Sequence, residues 1–218
     1  MKRMLGVLML VLVSVATACE KPTPEQQLAK LKARAAAGNA AAQDSLGTMY
    51  DNGTGVPQDN TEAVKWYRLA AAQGDADAQS NLGAMYGNGE GVPQNNTEAV
   101  KWFRLAAAQG NATAQYNLGL MYFNGEGVPQ DNAAAVKWFR LAAAQGYASA
   151  QYNLGVMYSS GEGVPEDYVQ AYKWYNLAAA AGDTRAVKNK NRVAEKMTKE
   201  QIVEAQRRST AFKPTKTP

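Results

Sequence analysis

Apolar residues recur along most of this chain in two alternating helical patterns separated by short polar stretches. In the first pattern Ala78, Leu82, Met85 and Tyr86 stand at i, i+4, i+7 and i+8, one face of a helix over 76–88. In the second, Ala99, Trp102, Phe103, Ala106 and Gly110 stand at i, i+3, i+4, i+7 and i+11, a single stripe of another helix. Between them, Asn88-Gly89-Glu90-Gly91-Val92-Pro93-Gln94-Asn95 is dense in turn residues. Glycine supplies positive φ and proline fixes φ there. Val92, held extended by Pro93, reads as the apolar plug that pins the loop to the core. Asp59 with Glu62, and Asn95 with Glu98, read as capping boxes that open the second helix, and Asp131 and Asp167 hold the same slot.

The pattern repeats. Trp66, Trp102, Trp138 and Trp174 are each 36 residues after the last, as are Gly47, Gly83, Gly119 and Gly155, and Pro57, Pro93, Pro129 and Pro165. A fixed period of this length means stacked copies of one helix-loop-helix unit, an all-α solenoid whose units bury their apolar faces on one another. Each Trp, with the aromatic residue after it, reads as the large core filling. The mid-helix glycine costs about 1 kcal/mol against alanine in each unit. It is expected to let a neighbouring helix approach the backbone closely.

Both ends of the array read as caps. Thr23, Pro24 and Gln26 are a capping box with proline in the first turn, opening a helix over 25–39 whose end echoes the end of each repeat. Residues 183–208 read as closing helices. Thr184 to Lys196 looks like the first helix of an unfinished unit, with Asn189-Lys190-Asn191 in place of its Leu-Gly centre. Thr198 and Gln201 form a second capping box before a helix over 199–208. Residues 209–218 contain two prolines and little that packs, and are expected to be disordered.

The pattern A-x-x-x-L-G-x-M-Y, then G-x-G-V-P-x-D, then A-x-K-W-Y/F-x-x-A-A-x-x-G resembles the Sel-1-like repeat, a relative of the tetratricopeptide repeat. The resemblance covers four units over 40–182. It implies a right-handed α/α superhelical solenoid with a concave face that binds a protein or peptide. Bacterial lipoproteins of this kind are associated with envelope assembly, exopolysaccharide control and neutralisation of secreted toxins.

Composition narrows the chemistry. The 218 residues include no His and one Cys. That removes the usual general base, the Ser-His and Cys-His nucleophile pairs, any internal disulfide and any thiolate metal cluster. Cysteine-stapled members of the family are linked with β-lactams, but this chain lacks both the paired Cys and a Ser-x-x-Lys spacing. Glu90, Glu126 and Glu162 recur at one loop position, which predicts a row along an edge rather than a facing catalytic pair. The Gly-x-Gly pair follows a helix, not a strand, and does not suggest phosphate binding. No enzyme activity, cofactor, metal or nucleic-acid partner is expected.

Residues 1–18 read as an export signal. Lys2 and Arg3 precede an apolar run, Leu5 to Val13, too short to span a bilayer, which needs roughly 20 residues. Val15-Ala16-Thr17-Ala18-Cys19 then resembles a bacterial lipobox, with Ala16 where the family prefers Leu. The resemblance implies cleavage before Cys19, lipidation of that residue, and a linker over 19–24. The alternative is an ordinary signal peptide cut after Ala18. Glu20 is not the Asp that marks inner-membrane retention, so the expected place is the outer membrane, facing the periplasm.

Charge is unevenly spread. Residues 38–182 carry a net −6 and residues 183–218 a net +6. Arg185, Lys188, Lys190 and Arg192 form a candidate contact for an anionic surface, either glycan or acidic lipid; the alternative is a solvated cap. Lys65, Lys101 and Lys137, with Arg68, Arg104 and Arg140, would stack into basic ladders, read either as surface solubility or as a binding strip. Ligand specificity is expected where the units differ. Ser80, Tyr116 and Tyr152 occupy one such slot, and Ala84, Leu120 and Val156 another.

Overall fold

The computed structural model describes residues 22–215. Cys19 and the export signal lie outside them, as do residues 216–218. The described residues form α-helices and connecting turns, without strands. A first helix, α1 (Pro24–Ala36), is followed by four helix pairs: α2 (Ala40–Asn52) and α3 (Asn60–Ala72), α4 (Ala76–Asn88) and α5 (Asn96–Ala108), α6 (Ala112–Asn124) and α7 (Asn132–Ala144), α8 (Ala148–Ser160) and α9 (Tyr168–Ala180). Two closing helices follow, α10 (Thr184–Ala194) and α11 (Lys199–Thr210). No described helix is long and apolar enough to cross a membrane.

Each pair packs on the next to give a right-handed superhelix in two layers. The inner layer holds α2, α4, α6, α8 and α10. The outer holds α1, α3, α5, α7 and α9, with α11 laid across α9. Inner helices approach one another directly, α4 to α6 and α8 to α10, more closely than α3, α5 and α7 do. The array therefore curves, with the inner layer on its concave side.

Capping follows the sequence expectation in part. Thr23 and Thr198 make full capping boxes with Gln26 and Gln201. Asp59 and Asn95 accept from backbone N–H groups as expected, but Glu62 and Glu98 do not reach back. They pair instead with Lys65 and Lys101 one turn on. An ammonium at i+3 is a better partner for an exposed carboxylate than an amide that the cap already orders. Valine plugs each loop, with Val56 and Val164 buried to 9 % exposure.

The core departs from expectation at its two loudest residues. The aromatic after each Trp is the deeper one: Tyr67 is 1 % exposed, Phe103 4 %, Phe139 1 % and Tyr175 2 %. Its ring lies against the mid-helix glycine of the same unit. A Cβ on Gly83 would sit 2.8 Å from the Phe103 ring, and one on Gly119 2.6 Å from the Phe139 ring. The glycine thus admits a side-chain ring, not a neighbouring backbone. Trp66, Trp102 and Trp138 are only half-buried and pack onto clusters that include the preceding outer helix, so they join units rather than fill them.

A buried glutamine relay also ties the layers. Gln79 Nε2 donates to Ala71 O at 3.1 Å, and Gln109 Nε2 donates to Gln79 Oε1 at 2.8 Å. Gln115 and Gln145 repeat this on Ala107 O in the next unit, and Gln43 and Gln73 on Ala35 O in the first. Each buried amide satisfies the carbonyl end of one outer helix and holds the end of the next.

The end of the chain is also not as expected. α11 runs on to Thr210, and the Phe212 ring stands edge-on to Trp174 at 5.8 Å. Thr215 N donates to Ala144 O at 2.8 Å. Residues 209–215 are therefore packed rather than disordered, because Phe212 supplies an apolar anchor and α7 an unsatisfied terminal carbonyl.

Candidate functional site

The concave face carries the variable positions. One slot on successive inner helices holds Asp44, Ser80, Tyr116, Tyr152 and Lys188; a second, one turn on, holds Thr48, Ala84, Leu120, Val156 and Arg192. The position between them is Ser45 in the first of these helices and Asn in the other four: Asn81, Asn117, Asn153 and Asn189. Asn81 Nδ2 donates to Asp44 Oδ1 at 3.2 Å, and Asn189 Nδ2 to the Tyr152 hydroxyl at 3.2 Å. Asn153, with Ser149, faces the Tyr116 hydroxyl. Each of these three Asn side chains therefore orients the variable residue of the preceding unit. The repetition of Asn at this position is the sequence signal for that role, and apolar periodicity alone does not single it out.

Three depressions follow one another along this face. One of about 270 Å3 between α4 and α6 is lined by Ala84, Asn117 and Leu120. A second of about 310 Å3 between α6 and α8 is lined by Leu120, Phe123, Tyr152 and Val156. A third of about 340 Å3 between α8 and α10 is lined by Tyr152, Val156, Asn189, Arg192 and Lys196. Leu120 is shared by the first two, and Tyr152 and Val156 by the last two, so they form one groove. Tyr116 packs at 5.0 Å on Tyr147 and hardens its wall.

The groove has opposite charge at its ends. At the α2–α4 end stand Asp44, Asp75 and Asp77. Burial, then repulsion from Asp75, pushes the Asp44 carboxyl up to about 6, against the Asn81 hydrogen bond. Asp51 is raised too, by burial and by Glu90. At the α10 end stand Arg185, Lys188 and Arg192. The Arg185 guanidinium lies 4.2 Å from the centre of the Tyr152 ring and also pairs with Asp183 at 2.7 Å.

A carboxyl raised in the folded state holds a proton there that the unfolded chain has already released, so ionised Asp44 opposes folding. The penalty is absent below the unfolded value of 3.8 and complete above the folded value of about 6. Asp44→Asn is expected to stabilise the chain at pH 7 by about 1 kcal/mol, a figure discounted for partial exposure. Denaturation midpoints of the two proteins should converge near about pH 4.

The structure divides the candidate residues. Ser80 lies in the groove slot but is 4 % exposed, at the floor. Tyr116 and Tyr152 are half-exposed in the wall. Lys65, Lys101 and Lys137 are on the outer layer and not in the groove. The arginine ladder is also outer: Arg68, Arg104 and Arg140 donate to the hydroxyls of Tyr86, Tyr122 and Tyr158 in the following unit at 2.8, 2.8 and 2.6 Å. The basic cluster at 185–192 is not one patch. Lys190 turns away to Asn176 Oδ1 at 3.1 Å, while Arg185, Lys188 and Arg192 close the end of the groove. Helical spacing explains the split, since residue 190 is about 200° round the helix from residue 188.

A family model described as Sel1 repeat matches residues 40–75, 76–111, 112–147 and 148–183. Among solved structures, c5321, a protective antigen of uropathogenic Escherichia coli with an SLR fold, is 38 % identical, with a TM-score of 0.80 over 87 % of this chain and 41 % of its own. A Sel1 repeat protein from Oxalobacter formigenes is 41 % identical, with a TM-score of 0.69 over 76 % of this chain and 48 % of its own. This chain thus spans less than half the length of either. No curated protein matches it. With four matched units filling the two-layered array, the chain belongs to the Sel1 repeat family.

Proposed function

We propose that this protein is a lipid-anchored scaffold of the bacterial envelope, facing the periplasm from the outer membrane, that binds one polypeptide segment along its concave groove. Sel1 repeat proteins generally mediate protein–protein interactions. The observation that carries the finer reading is the groove, apolar at its centre and oppositely charged at its ends. Inner helices at about 8–10 Å spacing give a groove of about 35 Å, which an extended segment of about ten residues would fill. Basic residues of the partner suit the Asp44 end, acidic ones the Arg185 end, and apolar ones the Leu120–Val156 centre. Binding of peptidoglycan, exopolysaccharide or acidic lipid by the 185–192 cluster is less well supported, because Lys190 faces away from the other three.

Crosslinked capture from intact envelopes tests the groove. Leu120→Asp with Val156→Asp should cut recovery of the captured partner at least tenfold, while Val203→Asp on α11, which is 63 % exposed, should leave it unchanged. Equal recovery from both would end the groove reading. The anchor rests on Cys19 and is tested separately: Cys19→Ala should move the protein from the membrane to the soluble fraction and abolish lipid labelling.

A further inference from the structure

The outer layer repeats a notch that the chain itself fills once. In the fourth unit Lys173, Trp174 and Leu177 form one side of α9. Phe212 seats there: its ring is 5.8 Å from Trp174, and Lys173 Nζ lies 4.1 Å from the Trp174 ring centre and 5.8 Å from that of Phe212. Leu177 and Phe212 pack on the same apolar cluster. Pro214 then lies over Gly146, where an added Cβ would stand 3.6 Å from its ring, and Thr215 donates to Ala144 O, the last carbonyl of α7. So the seated segment is an aromatic residue, one spacer, a proline, and a backbone donor to a helix end.

The same notch recurs uncovered. The leucines equivalent to Leu177 are Leu69, Leu105 and Leu141, and they are 49 %, 45 % and 43 % exposed, whereas Leu177 is partly buried. The Lys–Trp pairing is built in the second of them, with Lys101 Nζ 5.6 Å from the Trp102 ring centre. Trp102 and Trp138 are half-buried where Trp174 is 8 % exposed. Three large apolar side chains in one row, one per unit, are more than scattered surface leucines require.

We propose that the outer layer is a second docking surface, a row of three notches that takes an extended segment of another polypeptide carrying aromatic-x-Pro units of the Phe212-Lys213-Pro214 kind. The surface is independent of the groove, because Leu69, Leu105 and Leu141 stand on the opposite layer. A single unit binds weakly, since the chain's own segment profits from an effective concentration of about millimolar order that a free peptide lacks. Two units on one partner gain that advantage back.

The test titrates the full chain with the synthetic peptide Ser-Thr-Ala-Phe-Lys-Pro-Thr-Lys, and with a tandem of two copies on a flexible linker, following leucine methyl signals by NMR. Saturable shifts are expected at Leu69, Leu105 and Leu141, with half-saturation of the single peptide at about millimolar concentration. The tandem should bind at least tenfold more tightly. A peptide with Ala for Phe should give no shift, and Leu105→Asp with Leu141→Asp should remove the tandem's advantage. These leucines are exposed, so both variants should fold. Phe212→Ala supplies the control, opening the fourth notch. If the peptide shifts Leu177 in that variant but never the other three leucines, the notch is only a seat for the chain's own segment and the proposal fails. Shifts in neither protein, or equal shifts with the Phe-less peptide, overturn it as well.

Discussion

Gly127→Ala should lower the stability of the array by about 3 kcal/mol or more, among the largest costs of any single methyl group in this protein. Two penalties combine. Gly127 has φ +69°, a left-handed conformation that costs an L-residue roughly 1–2 kcal/mol. The second penalty is steric. An added Cβ would lie 2.3 Å from Asn96 O and 2.4 Å from its carbonyl carbon, both backbone atoms of the preceding unit. Rotating a side chain cannot relieve that contact. The loop before α7 must lift off the start of α5, withdrawing the plug Val128 from the core that it shares with Phe103 and Met121. Gly74 supplies the control, with φ +92° and nothing within 4 Å of the added carbon. Gly74→Ala therefore carries only the backbone strain, about 1 kcal/mol. Urea denaturation of the two variants separates the causes. Equal midpoints would mean that the loop does not press on the neighbouring unit as described.

Phe139→Ala should cost about 3–5 kcal/mol, the range for removing a fully buried aromatic. Trp138→Ala, despite the larger side chain, should cost less, about 1–3 kcal/mol, because the indole is half-exposed. A coupling test sharpens the comparison. Gly119→Ala alone drives a methyl to within 2.6 Å of the Phe139 ring and should destabilise. In the Phe139→Ala background the same methyl enters the space that the ring has left, so the two changes together should cost less than their sum. A Trp138→Ala cost greater than that of Phe139→Ala would restore Trp as the principal filling.

Those two residues show where sequence reading stops. Period, helix bounds and caps were legible because each is local: 36-residue spacing, Gly and Pro punctuation, and Thr-x-x-Gln before a helix. The centre of an apolar stripe was not legible. Adjacent residues stand about 100° apart on a helix, so both Trp138 and Phe139 fit the pattern, and only packing decides which points inward. The Glu62 return bond failed because Lys65 competes for the same carboxylate. The packed segment at 211–215 was out of reach because Thr215 and Ala144 are 71 residues apart in sequence. The groove was half-legible. The variable slots at 80, 116 and 152 and at 84, 120 and 156 proved to lie on one face. The basic residues at 185–192 were legible as a cluster, but their place at one end of the groove was not, nor was the acidic end at Asp44, because Asp44 and Lys188 belong to the same slot in units that the repeat pattern treats as edges.

On the proposed function, a protein partner lies along the inner layer. Photocrosslinking in intact cells tests it most directly, with a benzophenone amino acid placed in turn at Leu120, Val156, Lys188 and, as the outer-layer control, the exposed Ala133 near the start of α7. One shared adduct is expected from Leu120, Val156 and Lys188, and none of that mass from Ala133. The same adduct from Ala133, or its absence from all three groove positions, would contradict that placement.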